Sequence, residues 1–259
     1  MDDSRIMYRK IHIPPPPRMD WAYFLDVDGT LIELAMTPDA IEVDHALPVL
    51  LETLHRQTGG ALALISGRAV ADLDRHIGIL QVPRAGQHGL ERRDAAGRLW
   101  RHETPEPVKR ALLEALAPLL ARHGGLLLED KGSTLAIHYR RAPMLGAYVH
   151  RFLGRLVSDI GQGLQLQAGK RVVEVKPAGV DKGMAVAEYL TEAPFLGRLP
   201  VFIGDDITDE TAFALVNERG GISVKVGPGR SCARYRLPGV AAVRAWLAYQ
   251  PMSPHHEHP

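Results

Sequence analysis

A short apolar run, Ala22-Tyr23-Phe24-Leu25, leads straight into two carboxylates, Asp26 and Asp28, and then Gly29-Thr30-Leu31. An unbroken apolar run of this length predicts a strand buried on both faces of a parallel sheet. Open sheets of that kind bind ligands outside the carboxyl ends of their strands, so both aspartates arrive at the edge where chemistry takes place. Gly29 allows an immediate turn. Two carboxylates this close repel each other, and a divalent cation is the simplest means of holding them together.

The pattern recurs. Ala61 to Ile65 is a second apolar strand, ending at Ser66-Gly67-Arg68, and Leu199 to Ile203 is another, ending at Gly204-Asp205-Asp206. Helical spacing of apolar residues predicts helices over Leu47 to Gln57, Ala69 to His76, Lys182 to Leu190 and Asp209 to Val216, with a last strand over Gly221 to Val226. Gln87-His88-Gly89 closes a further strand-like piece. Alternating strands and helices predict right-handed βαβ units, hence an α/β fold with a Rossmann-like parallel sheet flanked by helices.

After Arg101 the character changes. Pro105 to His123 is a leucine-rich helix, Leu126 to Leu128 and Leu135 to Tyr139 are strands, Met144 to Ser158 is a helix, and Arg171 to Val175 a strand. This is enough for an α+β unit inserted into the first domain. The expected organisation is a flexible arm over residues 1–19, containing Pro14 to Pro17, a discontinuous core over 20–104 and 174–250, an inserted unit over 105–173, and a flexible tail over 251–259 carrying His255, His256 and His258. A net charge of +1 offers no general attraction to nucleic acid or membrane. A single cysteine, Cys232, excludes an intramolecular disulfide and fits a reducing compartment. No apolar stretch is long enough to span a bilayer, and Met1 to Lys10 lack an apolar signal core, so cytoplasm is the expected location.

Each strand end carries a candidate function. Asp26 is placed to attack phosphorus and form an aspartyl-phosphate, with Asp28 as acid and then base; the bland alternative is a capping pair after a strand. Ser66 is a phosphoryl-oxygen ligand, assisted by the backbone N–H groups that follow it, such as that of Gly67, or else a helix N-cap. Arg68 is a phosphate contact or a structural partner. Lys182 sits where a helix begins, against the usual charge preference, which points to neutralising the nucleophile and the transferring phosphoryl group; a surface lysine is the alternative. The acids of Asp205-Asp206-Ile207-Thr208-Asp209-Glu210 crowd one strand end. An all-oxygen donor set suits Mg²⁺, with Asp205 as first ligand beside Asp26 and the Asp28 backbone carbonyl. Asp206 and Asp209 are candidates for holding metal-bound water or orienting Lys182.

Taken in order, these elements resemble the haloacid dehalogenase-like phosphohydrolases. Asp26-Val27-Asp28-Gly29-Thr30 matches their first motif, Ser66 the second, Lys182 the third and Gly204-Asp205-Asp206 the fourth. Leu128-Glu129-Asp130-Lys131-Gly132, Ala136-Ile137-His138-Tyr139-Arg140 and Val172-Val173-Glu174-Val175-Lys176-Pro177 are similar to the trehalose-6-phosphate phosphatases within that superfamily. The likeness runs from about Trp21 to Leu247. It implies Mg²⁺-dependent hydrolysis of trehalose 6-phosphate and an inserted unit that acts as a cap closing over the substrate. It also implies a sugar-binding set of Glu129, Lys131, Glu174 and His88, with Lys176 and Arg171 as weaker candidates. For Glu129 and Lys131 the residues alone favour surface salt bridges, and for His88 they equally allow a structural turn. Rivals are a phosphatase for another sugar phosphate, a phosphomutase, and a non-catalytic sugar-phosphate sensor. No Gly-Xaa-Gly-Xaa-Xaa-Gly follows the first strand, which disfavours a dinucleotide enzyme.

Overall fold

The protein is described here by a computed structural model covering residues 12–34, 43–78, 81–161, 163–169 and 171–249. It divides into two compact units, Met1–Leu99 with Asp181–Pro259, and Trp100–Val180.

The apolar runs form the strands β1 (Ala22–Leu25), β2 (Leu62–Ile65), β10 (Pro200–Gly204) and β11 (Ile222–Val226) of the large unit, and the shorter, more polar strands β3 (Arg84–Gly86), β4 (Glu91–Arg93), β5 (Leu99–Arg101) and β12 (Tyr235–Leu237) belong to the same sheet. Their order in one sheet is β12-β11-β10-β1-β2-β3-β4-β5. Pairing is parallel from β12 through β3 and turns antiparallel at β4. Alternate side chains of a strand point to opposite faces, and β1 splits accordingly. Tyr23 and Leu25 join Leu64, Ile203 and Val224 in one core, under the helices α1 (Ala46–Gln57), α2 (Val70–Ile77) and α7 (Val240–Leu247). Ala22 and Phe24 join Ala63, Phe202, Tyr189 and Phe213 in a second core, under α5 (Lys182–Tyr189) and α6 (Glu210–Glu218). Burial on both faces is why these strands read as unbroken apolar runs.

Register then fixes the site. Leu25 pairs with both Leu64 and Ile203. The chain therefore leaves β1, β2 and β10 at one edge, delivering Asp26, Ser66-Gly67-Arg68 and Asp205-Asp206 together.

The small unit is a four-stranded antiparallel sheet, ordered β6 (Leu127–Asp130), β7 (Leu135–His138), β9 (Val172–Pro177), β8 (Leu164–Gly169). One face packs Ile137, Val173 and Val175 against Leu112 and Leu116 of α3 (Glu106–Arg122) and Val149 and Leu153 of α4 (Gly146–Ile160). Glu129, Ala136, Glu174 and Gln167 are register partners across the sheet and share its other face.

Several expectations change. The small unit extends to Val180, beyond the expected limit at 173, because β9 is a full sheet member pairing β7 and β8. Strand β8 fills the glycine-flanked stretch from which no strand was expected; Leu164-Gln165-Leu166-Gln167 alternates apolar and polar as a half-buried strand does, over a run too short to stand out between the flanking glycines. Residues 12–18, expected as the end of a loose arm, lie on the large unit. Pro14 and Pro17 are buried, Pro15 O accepts from Trp246 Nε1 at 3.0 Å, and His12 O accepts from Arg236 N at 2.9 Å. The rest of the expected arm and the histidine tail fall outside the described residues. No described helix is long and apolar enough to cross a membrane.

Candidate active site

Asp26 follows β1 directly and is buried. Its Oδ2 accepts from the Thr30 hydroxyl at 3.2 Å, and its Oδ1 accepts from Lys182 Nζ at 2.7 Å. Lys182 is only 3% exposed and also donates to Asp209 Oδ1 at 2.6 Å. The conflict between a lysine and a helix N-terminus is thus resolved. Asp181 caps α5 by accepting from Met184 N at 2.9 Å, and two buried carboxylates face the ammonium. Burial opposes the lysine's charge, but Asp26 and Asp209 outweigh it and raise its pKa.

The acids respond in the opposite sense. Burial pushes Asp26 up to about 6, against the pull of Lys182 and with a push from Asp205. Burial, with Asp26 adding, pushes Asp209 up to about 6 as well, and burial raises Asp205. Oxygens of Asp26, Asp205 and Asp209 lie within 4.8 Å of one another. Three crowded acids, two buried and one half-buried, with only oxygen donors, fit a hard divalent cation. Asp209 has both oxygens engaged, Oδ1 with Lys182 and Oδ2 with Asp206 N at 2.9 Å. Asp209 thus ties the Lys182 ammonium to the turn that follows Asp205. Asp206 turns its own Oδ1 to Ile207 N at 2.6 Å, capping the next turn.

Gly29 is required here on two counts. Its φ is +77°, and a Cβ on it would stand 2.2 Å from Asp205 Oδ2. Gly67 is similar, since a Cβ would stand 2.7 Å from Cε1 of His88. His88 itself adopts left-handed backbone angles, φ 58° and ψ 32°, and its N–H donates to Ser66 O at 2.9 Å. Ser66 is fully buried, and its Oγ accepts from Arg68 N at 3.1 Å. The N-cap of α2 is Ala69, so Ser66 does not cap that helix. Arg68 makes a two-pronged contact with Asp28, Nε to Oδ2 at 2.7 Å and Nη2 to Oδ1 at 2.6 Å, and Nη1 donates to Asp72 at 3.0 Å. Sequence reasoning left Arg68 undecided; its partner lies 40 residues away, and only the sheet brings the two together.

A cavity of about 580 Å³ opens on this edge, lined by Asp26, Asp28, Gly67, Arg68, His88, Lys182, Asp205 and Asp206 among others. Ser66 and Asp209 are not part of that lining.

Within the small unit, Lys131 Nζ donates to Glu174 Oε1 at 2.5 Å, and Glu129 Oε2 bonds His138 Nε2 at 2.7 Å. The sequence suggested Glu129, Lys131 and Glu174 but not their pairing, nor His138. Lys176 is buried and donates to Val180 O at 2.8 Å. Arg171 stands between β8 and β9 with φ 63°.

This architecture has solved counterparts. A trehalose-6-phosphate phosphatase from Aspergillus fumigatus superposes with a TM-score of 0.71 at 26% identity, over 88% of this chain and 91% of that one. The strand-edge acids, the parallel sheet and the inserted α+β unit belong to the haloacid dehalogenase-like phosphohydrolases that carry a cap. Sequence relatives are more specific. A protein named trehalose-6-phosphate phosphatase in Escherichia coli (strain K12) is 44% identical over 88% of this chain and 85% of its own length. A probable trehalose-phosphate phosphatase of Sinorhizobium fredii is 42% identical over 88% and 87%. The family model described as trehalose-phosphatase matches residues 24–240. The chain belongs to the trehalose-phosphatase family and, as such, is a phosphoric monoester hydrolase. The family implies a divalent metal, in keeping with the acidic cluster.

Proposed function

We propose that the enzyme hydrolyses trehalose 6-phosphate to trehalose and phosphate through an aspartyl-phosphate on Asp26, with Mg²⁺ as its cation. The observation that carries the mechanism is the buried Asp26–Lys182–Asp209 chain at the cavity that opens on the carboxyl edge of the sheet. A carboxylate fixed by an ammonium and a hydroxyl is aimed without being consumed, since each oxygen keeps a further lone pair.

Asp26 attacks phosphorus, and the bond from phosphorus to the sugar oxygen breaks. Asp28 gives a proton to the departing alkoxide. It then takes one from the water that attacks the phosphorus of the acyl phosphate, which frees Asp26 and releases phosphate. Lys182 offsets negative charge on the nucleophile and on the phosphoryl oxygens. Mg²⁺ held by Asp26, the Asp28 carbonyl and Asp205 would supply further positive charge there. Ser66 and the N–H groups after it assist the phosphoryl group. Arg68 holds both Asp28 oxygens before substrate arrives. A phosphoryl group is an alternative partner for a guanidinium, so substrate draws Arg68 off, and the Asp28 carboxylate then takes up from water the proton that it passes to the departing oxygen.

For the sugar we propose Glu129, Lys131, Glu174 and His88. Carboxylates accept from hydroxyls, and an ammonium donates to them. The names of the relatives, and the family match across the inserted unit, support trehalose 6-phosphate over other sugar phosphates. Cytoplasmic placement without nucleic-acid or membrane partners accords with one cysteine and a net charge of +1.

The test is phosphate release from trehalose 6-phosphate, sucrose 6-phosphate, glucose 6-phosphate and mannosyl-phosphoglycerate, with Mg²⁺ and with chelator. Mg²⁺-dependent release from trehalose 6-phosphate alone is expected. Preference for another member overturns the substrate, and activity undiminished by chelator overturns the metal.

A further inference from the structure

One buried charge has no part in the mechanism above. Lys225 lies in the middle of an apolar strand, Ile222-Ser223-Val224-Lys225-Val226, and is 6% exposed. Its Nζ donates to the backbone carbonyl of Asp205 and to Val226 O, the latter at 2.8 Å. Among the described residues no carboxylate stands within ion-pair distance of it. A buried ammonium bonded only to neutral carbonyls is costly, and a methionine would fill the same strand position without that cost.

Its place in the sheet explains it. Lys225 is the register partner of Gly204, the residue where β10 ends and the acidic turn begins. The ammonium is fastened to the next residue, Asp205, whose side chain is the proposed cation ligand, packed against Gly29. The other end of the turn is fixed by Asp206 N bonding Asp209 Oδ2. The turn that presents Asp205 is therefore pinned at both ends, once by Lys225 and once by Asp209.

We propose that Lys225 is a positioning residue for the cation site: its bond to the Asp205 carbonyl holds the Asp205 side chain in place, and so sets how tightly the enzyme takes Mg²⁺. The inference rests on Asp205 being a cation ligand. Two effects of removing Lys225 have opposite signs, which makes the test decisive. Loss of a nearby positive charge by itself would strengthen cation binding. Loss of the clamp weakens it, and support of this kind is typically worth about 10- to 100-fold in metal affinity.

The experiment is calorimetric titration of the chelator-treated full chain with MgCl₂, on wild type, K225M, K225Q, K225R and D205N, with a thermal melt of each. We expect Mg²⁺ binding by wild type, its loss in D205N, and binding weakened by about 10-fold or more in K225M. K225Q and K225R, which keep an N–H donor, should bind more tightly than K225M. They also keep the question decidable if K225M fails to fold. Wild-type binding with K225M unchanged or tighter overturns the inference alone, as does K225Q and K225R binding no better than a folded K225M. No Mg²⁺ binding by wild type, or undiminished binding by D205N, overturns the metal assignment and this inference with it.

Discussion

The two units use charge in opposite ways. At the sheet edge of the large unit, Lys182, Asp26 and Asp209 are buried and locked in one chain of ion pairs. In the small unit, Glu129 and His138 are 47% and 34% exposed at the side chain, and Lys131 and Glu174 are also open to water. Buried charges are strongly coupled, slow to rearrange and ready for a transition state whose charge they match. Exposed pairs are worth little to stability, about 0–1 kcal/mol, and exchange partners readily. A reacting carboxylate needs the first setting. Sugar hydroxyls, which must enter and leave with each turnover, suit the second.

The contrast is testable from its strongest element downward. Asp26→Asn should lower phosphate release by roughly 10⁴-fold or more while the protein still folds, as judged by its far-UV spectrum and melt. Residual turnover near wild type would remove Asp26 as nucleophile. Lys182→Met should cost about 3–5 kcal/mol in stability as well as activity, because it strands two buried carboxylates. Denaturant melts should show a smaller loss at pH 5 than at pH 7.5, since the freed acids can then take up protons.

A third prediction follows from the raised acids. Asp26 and Asp209 hold protons up to about pH 6 in the folded, metal-free protein. They release them near pH 4 when unfolded. The folded state binds more protons between those limits, so their contribution to stability falls as pH rises through that window and stays low above it. A divalent cation removes this penalty. Added Mg²⁺ should therefore raise the melting temperature more at pH 7.5 than at pH 5, and equal shifts would contradict it.

The smallest effects on stability belong to the small unit. Glu174→Gln and Lys131→Met should leave the melt within about 1 kcal/mol of wild type. They should raise KM for trehalose 6-phosphate by roughly 10-fold with kcat little changed, as expected for uniform binding. Hydrolysis of p-nitrophenyl phosphate, which has no sugar, should be unaffected. A fall in both substrates would mean that these residues serve the chemistry rather than recognition.

The sequence by itself determined which strand ends carry candidate functional groups. Asp26, Ser66, Lys182 and Asp205 were legible as candidates because each adjoins a strong local signal, an apolar run or a helix start, and such signals depend only on neighbours in the chain. Strands β8 and β12 and helix α7 were not, because each is too short for its period to stand out until neighbouring elements cover it. Pairings were beyond the sequence altogether. Lys182 and Asp26 stand 156 residues apart, Arg68 and Asp28 stand 40, and Lys225 and Asp205 stand 20. A carboxylate or an ammonium acquires its role from what lies within about 3 Å of it in space. Sheet register sets that distance, and with it Asp209 became the partner of Lys182 and Arg68 the clasp on Asp28.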